Sequence, residues 1–209
     1  MVRLFKPSRW IDWIFPKFTW RFFVTDKKIF ITFDDGPNPE ITPFVLDELK
    51  KRNWTATFFC VGENITRYPN LVQRIYDEGH EIGNHTFRHE KGHKSTTEDY
   101  IASFRQFESV QATTLFRPPY GRITRNQAKI IEQTHKIIMW SWLSYDYDKK
   151  LALSTILKKA KKIQPGAILV LHDNPKISER QQELLPQLFT ILAEKGFYSS
   201  KITLSDVCK

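Results

Sequence analysis

Two adjacent carboxylates, Asp34 and Asp35, end the apolar run in IFITFDDGPNPE, and a Gly-Pro pair follows at once. Glycine and proline together make a turn, so the acids sit where a strand leaves the core. Like charges in contact raise each other's pKa and disfavour the compact state, so a positive group is expected beside them. Further on, NHTFRH places His85 and His89 four residues apart. On a helical turn that spacing puts both imidazoles on one face, within reach of a single metal ion. A carboxylate from the acid pair would complete a two-histidine, one-carboxylate set, which leaves coordination positions open for water and substrate. One carboxylate cannot easily be both metal ligand and general base, so two suggest a division of labour. One holds the ion, and the other takes a proton from water that the metal has made more acidic. The residues leave open which does which.

Such residues need elements to bring them together. Short β-type runs alternate with segments of helical period along the chain. Strands are expected at 28–33, 56–60, 80–83, 114–117, 136–141, 167–171 and 197–202, and helices at 41–52, 66–78, 96–110, 124–134, 152–163 and 179–195. Thr42-Pro43 opens the first helix, Gly79 closes the second and Gly196 follows the last. Regular alternation implies a mainly parallel sheet, either open and doubly wound or closed as a barrel. Seven units would make an incomplete or distorted barrel against the usual eight. At or soon after the strand ends come Asp34-Asp35, Asn84-His85, Arg117, Asp146 and His172-Asp173. In a parallel barrel these points share one rim, the face on which active sites are built. The acid pair therefore belongs to a site.

A length of 209 residues suits one domain. With 41% hydrophobic and 26% charged residues, the chain can bury a core, and no apolar stretch approaches the ~18 residues of a membrane span. The formal charge of +9 permits an anionic partner. The basic residues are scattered, however, apart from Lys158, Lys159, Lys161 and Lys162, which read as the solvated face of a helix. No nucleic-acid partner is expected, and a monomer is. Cys60 and Cys208 make no disulfide framework; Cys60, inside TATFFCV, reads as a small buried hydrophobe. Residues 1–27 form a basic, aromatic segment without the apolar run and cleavage site of a secretory signal, so a cytoplasmic location is expected. Its Trp10, Ile11, Trp13, Ile14 and Phe15 are expected to dock on the domain at 28–209, with peripheral membrane contact as the alternative.

TFDDGP, HTFRH, RPPYG, WSWLSYDY and VLH, in that order, resemble the motif series of the polysaccharide deacetylase family, carbohydrate esterase family four. The resemblance covers residues 28 to 200. It implies a single α/β domain, a distorted and incomplete (β/α)7 barrel, and a metal-dependent hydrolase that removes acetyl groups from N-acetylated sugars of a glycan. Position by position, it implies that Asp34 is the general base and that Asp35 is a metal ligand beside His85 and His89. Arg117 would pair with Asp34, and the backbone N–H of Tyr120 would help the metal stabilise the oxyanion. His172 would be the general acid, with Asp146 setting its tautomer and charge. Zinc is the default ion, with cobalt or nickel as alternatives. Where many relatives carry Asp-x-x-Asp-Trp, this chain reads Leu143, Ser144, Tyr145, Asp146 and Tyr147, and Val170 replaces a more usual leucine. These departures are expected to wall the acetyl pocket and sugar site, and so to bear on substrate preference. His80, His93 and His135 match no motif and read as structural or surface residues. Two other readings stand beside the first: an O-acetyl polysaccharide esterase using the same site, and a non-catalytic glycan-binding protein.

Overall fold

The computed structural model describes residues 5–8 and 10–207. Within them the strands are β1 (Phe18–Thr19), β2 (Lys28–Asp34), β3 (Thr57–Cys60), β4 (Glu81–Asn84), β5 (Leu115–Phe116), β6 (Lys136–Ile138), β7 (Trp142–Leu143), β8 (Ile168–His172) and β9 (Tyr198–Ser199). The helices are α1 (Ile11–Ile14), α2 (Thr42–Lys50), α3 (Gly62–Arg67), α4 (Pro69–Asp77), α5 (Thr97–Val110), α6 (Arg125–Ile131), α7 (Leu153–Ala160), α8 (Ser178–Glu194) and α9 (Leu204–Val207). The sheet runs β1-β6-β5-β4-β3-β2-β8-β7, with β9 joined to β2, and every strand pairing is parallel. It curls into an incomplete (β/α) barrel in a single domain, as expected. After β1 the chain crosses to the base of β8, where Arg21 bridges Ala167 and the Phe22 amide donates to the Gly166 carbonyl.

Alternation along β2 sets up the site. Successive side chains of a strand point to opposite faces. Ile29, Ile31 and Phe33 face outward, where they join Leu46 and Leu49 of α2 and Leu184, Leu185 and Leu188 of α8 in the largest apolar cluster. Phe30 belongs to a separate inner cluster with Phe59, Leu115, Ile138 and Ile168. Thr32 and Asp34 share its face, one and two steps nearer the rim. Burying an aromatic such as Phe30 contributes about 1.5–3 kcal/mol, so an apolar plug supports the polar upper layer. In register, Asp34 lies level with Phe59 on one side and His172 on the other.

Several details depart from expectation. The helix anticipated at 66–78 is two, α3 and α4, because Pro69 disfavours helical backbone at Tyr68 before it. The strand anticipated at 136–141 ends at Ile138, and the chain steps across the open side of the sheet to β7. The two-residue β1 carries too short a pattern to be anticipated. Trp10, Trp13 and Ile14 do not dock, being 71%, 81% and 68% exposed; Ile11 packs inward, and Phe15, 43% exposed, rests one face of its ring on Phe18. A helix of one turn has room for one inward residue, and the adjacent Asp12 is committed to Arg21 at 3.1 Å. Among the described residues of this segment, Phe5, Trp20 and Phe22 enter the core. Cys60 is buried and free, whereas Cys208 lies outside the described residues. Lys158, Lys159, Lys161 and Lys162 are exposed around the end of α7. No helix among the described residues is long and apolar enough to cross a membrane.

Candidate active and metal-binding site

The positive group that the acid pair required is Arg117, placed at the end of β5. Its Nη1 donates to Asp34 Oδ1 and to Thr32 Oγ1, both at 2.6 Å. Its Nε and Nη2 donate to the carbonyls of Ile138 and Met139, at 3.1 and 3.0 Å. The guanidinium lies 4.0 Å from the Phe59 ring centre and has no solvent exposure. Burial lowers its pKa and the Asp34 charge works against that, but arginine has enough reserve to stay charged. Thr32, one inward step below Asp34, is the residue that sequence reasoning missed here. Its only signal was being a polar residue at an inward position.

Asp35 turns away from its neighbour because its backbone is left-handed, at φ 84°. That conformation costs a non-glycine residue about 1–3 kcal/mol, and surrounding bonds maintain it. The Asp35 amide donates to the Phe59 carbonyl at 3.2 Å, Asn64 Nδ2 to the Asp35 carbonyl at 2.8 Å, and Asn174 Nδ2 to Asp35 Oδ2 at 3.1 Å. The other oxygen, Oδ1, lies 3.1 Å from His89 Nε2 and 3.8 Å from His85 Nε2. Burial alone would raise the Asp35 pKa. The His89 hydrogen bond and the charge of His172 outweigh it and hold the carboxyl well below the usual range. Next to it Gly36 is obligatory, since a Cβ there would stand 2.0 Å from Asp173 Oδ2.

His85 and His89 do converge, but not on a helical turn. They follow β4 on irregular backbone in which Thr86 and His89 are left-handed, at φ 64° and 58°. Asn84 shapes this loop: its Oδ1 accepts from the Thr86 amide at 2.8 Å while its Nδ2 donates to the Phe104 carbonyl at 3.1 Å. The two imidazole centres are 5.0 Å apart. One ligand atom from each of Asp35, His85 and His89 lies within 4.8 Å of the others. His85 Nδ1 meets the Arg117 carbonyl at 2.8 Å, so this nitrogen carries the proton and Nε2 presents its lone pair. Burial, opposed by the Asp34 charge, pushes His85 down to about 4, so the ring is neutral at neutral pH. An ionised carboxylate and a neutral, oriented imidazole are the forms a divalent cation needs, and the donor set fits one.

Opposite stands His172, at the end of β8. Its Nδ1 is 2.7 Å from Asp146 Oδ1, and its amide donates to Asp146 Oδ2 at 2.8 Å. Gln181 of α8 braces both, donating to Asp146 Oδ2 at 2.5 Å and to the His172 carbonyl at 2.6 Å. Burial would lower the imidazole. The charge and hydrogen bond of Asp146, with Asp35 and Asp34 behind them, instead raise it to about 10. His172 is therefore an imidazolium at neutral pH. Gln181 gave no sequence signal, being a buried polar residue in a helix of ordinary period. Asn174, two residues past His172, could have been found as one more polar residue on the same rim.

These groups open into one cleft of about 580 Å³. Its apolar lining includes Val61, Trp140, Leu143, Tyr147 and Val170, so the sites of departure from the motif pattern face the cleft. Leu143 and Val170 are partners across β7 and β8. Tyr120 has left-handed backbone, φ 60°, and its ring lies 4.7 Å from His89. Gly121 follows, also left-handed at φ 64°, and a Cβ there would meet Trp140 at 2.2 Å. Among the unmatched histidines, His80 is buried and accepts from the Ala56 amide at 3.1 Å, His135 packs on Phe104, and His93 is exposed. None of them lines the cleft.

Comparison with known proteins agrees with this geometry. The family model described as polysaccharide deacetylase matches residues 24–136. A Bacillus cereus peptidoglycan-N-acetylglucosamine deacetylase is 35% identical over 200 residues, covering 92% of this chain and 91% of the relative. Another from the same organism is 39% identical over 156 residues, covering 71% of this chain, which in turn spans 56% of that relative's length. Among solved structures, the Bc1960 peptidoglycan N-acetylglucosamine deacetylase superposes with a TM-score of 0.83 at 32% identity, covering 92% of this chain and 94% of the other.

Proposed function

The chain belongs to the polysaccharide deacetylase family, carbohydrate esterase family four, and on that premise we propose that it hydrolyses the acetamide of N-acetylated sugars in a glycan. One observation carries the reading: Asp34, Asp35, His85, His89 and His172 line one cleft from three different strand ends, with Arg117 buried behind Asp34 and Asp146 buried behind His172. Asp35, His85 and His89 would hold a divalent cation, with zinc as our choice and cobalt or nickel as substitutes. Such a cation supplies a Lewis acid that polarises the acetyl carbonyl and makes water more acidic.

The protein's own groups do the rest. Asp34, held through Oδ1 by Arg117, takes the proton of the attacking water. Arg117 aims that carboxylate, at a distance of 2.6 Å. The Tyr120 amide is assigned to the oxyanion, where one donor is typically worth 10²–10³ in rate. An amide is a poor acyl donor until its nitrogen is protonated. His172, charged at neutral pH and oriented by Asp146, gives that proton to the departing amine. The apolar wall of Val61, Trp140, Leu143 and Val170 suits an acetyl methyl.

The raised pKa of His172 favours an N-acetyl over an O-acetyl substrate, since an ester leaves with less help. The peptidoglycan deacetylases among its relatives support an N-acetylglucosamine-type glycan as substrate. The test is acetate release from N-acetylated and O-acetylated oligosaccharides, by metal-loaded and chelated protein. Release from the N-acetyl series that disappears on chelation and returns with zinc bears the proposal out. Full turnover by metal-free protein, or turnover of O-acetyl substrates alone, overturns it.

A further inference from the structure

Beside the catalytic cleft lies a second groove, of about 340 Å³, and the two share Gly121. Its base is apolar: Trp20 and Met139 are buried, and Phe18 and Ile123 are half-buried. Phe15 stands at its side 43% exposed, its ring 5.6 Å from that of Phe18 and nearly parallel to it, at 14°. Arg122 and His93 add exposed polar groups to the lining. Trp20 also meets Trp140, which lines the catalytic cleft, at 6.5 Å. A row of aromatic rings thus leads from the N-terminal segment to the cleft. Core packing explains Trp20 and, in part, Phe18. It does not explain Phe15, whose ring is left open to solvent beside an apolar groove. Phe15, Phe18 and Trp20 precede the residues matched by the family model.

We propose that this groove binds sugar units of the glycan flanking the one that is deacetylated, so that the N-terminal segment makes the protein prefer long chains. The inference rests on the deacetylase reading. A pyranose ring has an apolar C–H face and a rim of hydroxyls. That shape matches an aromatic floor with a few polar groups at its edge, the general form of a small-molecule site. Continuity fixes the occupant: a glycan that leaves the cleft past Gly121 runs onto Ile123, Phe18 and Phe15. Binding energy gained there, away from the reacting bond, can be used at the catalytic centre only when the substrate is long enough to reach it.

The experiment compares a disaccharide and a hexasaccharide of N-acetylglucosamine with the metal-loaded protein, Phe15→Ala, Arg122→Ala and, as a control outside the groove, Trp13→Ala. We expect the parent to favour the hexasaccharide. Phe15→Ala should lower kcat/KM for it by about tenfold, the usual scale for truncating an aromatic anchor, with a smaller loss for Arg122→Ala. The disaccharide should be unaffected by either change, and Trp13→Ala should change neither substrate. A binding arm, calorimetry of the hexasaccharide on Asp34→Asn with and without Phe15→Ala, should show a matching loss of affinity. Equal loss on both lengths, or a parent without length preference, overturns the inference and leaves the deacetylase reading intact. Absence of acetate release from either substrate, with binding still dependent on Phe15, overturns the deacetylase reading and keeps the groove.

Discussion

Asp34 and Asp35 are neighbours in sequence with opposite environments, and that difference predicts different fates on mutation. Asp34 continues the inward face of β2 and gives an oxygen to Arg117 at 2.6 Å, whereas Asp35 is swung by left-handed backbone toward His85 and His89. Asp34→Asn keeps all three side chains proposed to hold the cation, so it should hold near-stoichiometric zinc and lose most acetate release. Asp35→Ala should lose zinc and activity together. Metal content and turnover measured on both variants decide the matter, and the reverse pattern exchanges the roles. His172→Ala should lower turnover of an N-acetyl substrate by roughly 10²–10⁴, the range for removing an acid–base group. The sign of its pH dependence follows from its partner. The acid must be protonated, and Asp146 opposes the lowering by burial to hold its pKa at about 10. Asp146→Asn removes the strongest raising influence, so the alkaline limb of the rate profile should move to lower pH. An unmoved limb would assign it to another group. The acids and histidines of the site were legible in the sequence because each is an ionisable residue at or near a strand end. Thr32, Asn64 and Gln181 were not, because a neutral polar residue announces nothing until its partner is known.

At the scale of elements, strong periodicity was readable and short or broken elements were not. α5 and α8, with 14 and 17 residues, carry enough turns for a 3.6-residue pattern to show. β1, β5, β7 and β9 have two residues each, too few for alternation to register, although their neighbours had placed β5 and β9 within longer expected runs. The loop after β4 is the instructive miss. Four-residue spacing of His85 and His89 suggested a helix, yet the Asn84 side chain captures the Thr86 amide and the backbone turns left-handed instead. The imidazoles still converge, with centres 5.0 Å apart, though on a backbone other than the one the spacing suggested. A second loop, RPPYG, offers a test at this scale. Gly121 combines φ 64° with a Cβ position 2.2 Å from Trp140. Gly121→Ala should cost about 1–2 kcal/mol from backbone conformation alone, and more from displacing Trp140. Its melting temperature should fall by several degrees, on the order of 2–4 °C per kcal/mol for a domain of this size. Activity should fall further than stability, because Trp140 lines the cleft. A variant as stable and active as the parent would show that this loop tolerates a side chain.

For the whole molecule, the barrel architecture followed from β-α alternation together with the motif resemblance, while its open side and the path of the N-terminal segment depend on contacts no local pattern encodes. Its buried ionisable groups then make a prediction about the stability of the metal-free protein. His80 and His85 are each lowered to about 4, chiefly by burial. A histidine whose folded pKa is depressed supports the fold above its unfolded value of about 6.5, and that support is lost as pH falls toward 4. Asp173 is raised to about 7, again chiefly by burial, so ionising it weakens the fold progressively from about pH 4 to 7. His172 is raised to about 10 against the opposing effect of burial, and its contribution is complete below about 6.5 and disappears as pH rises through 10. Between about pH 4 and 6.5 two histidines gain about twice what one carboxyl loses, so stability rises; above 6.5 these groups contribute only losses. Denaturant midpoints of metal-free protein should therefore peak near pH 6.5 and decline on the alkaline side. His172→Gln should flatten the decline above that peak, and Asp173→Asn should steepen the acid-side rise by removing the opposing carboxyl. Zinc should stabilise more strongly as pH rises through the window in which the ligands deprotonate, because only the neutral imidazoles and ionised carboxylate bind it. A metal-free optimum above about pH 8 would mean that Asp173 and His172 do not carry the shifts their surroundings impose.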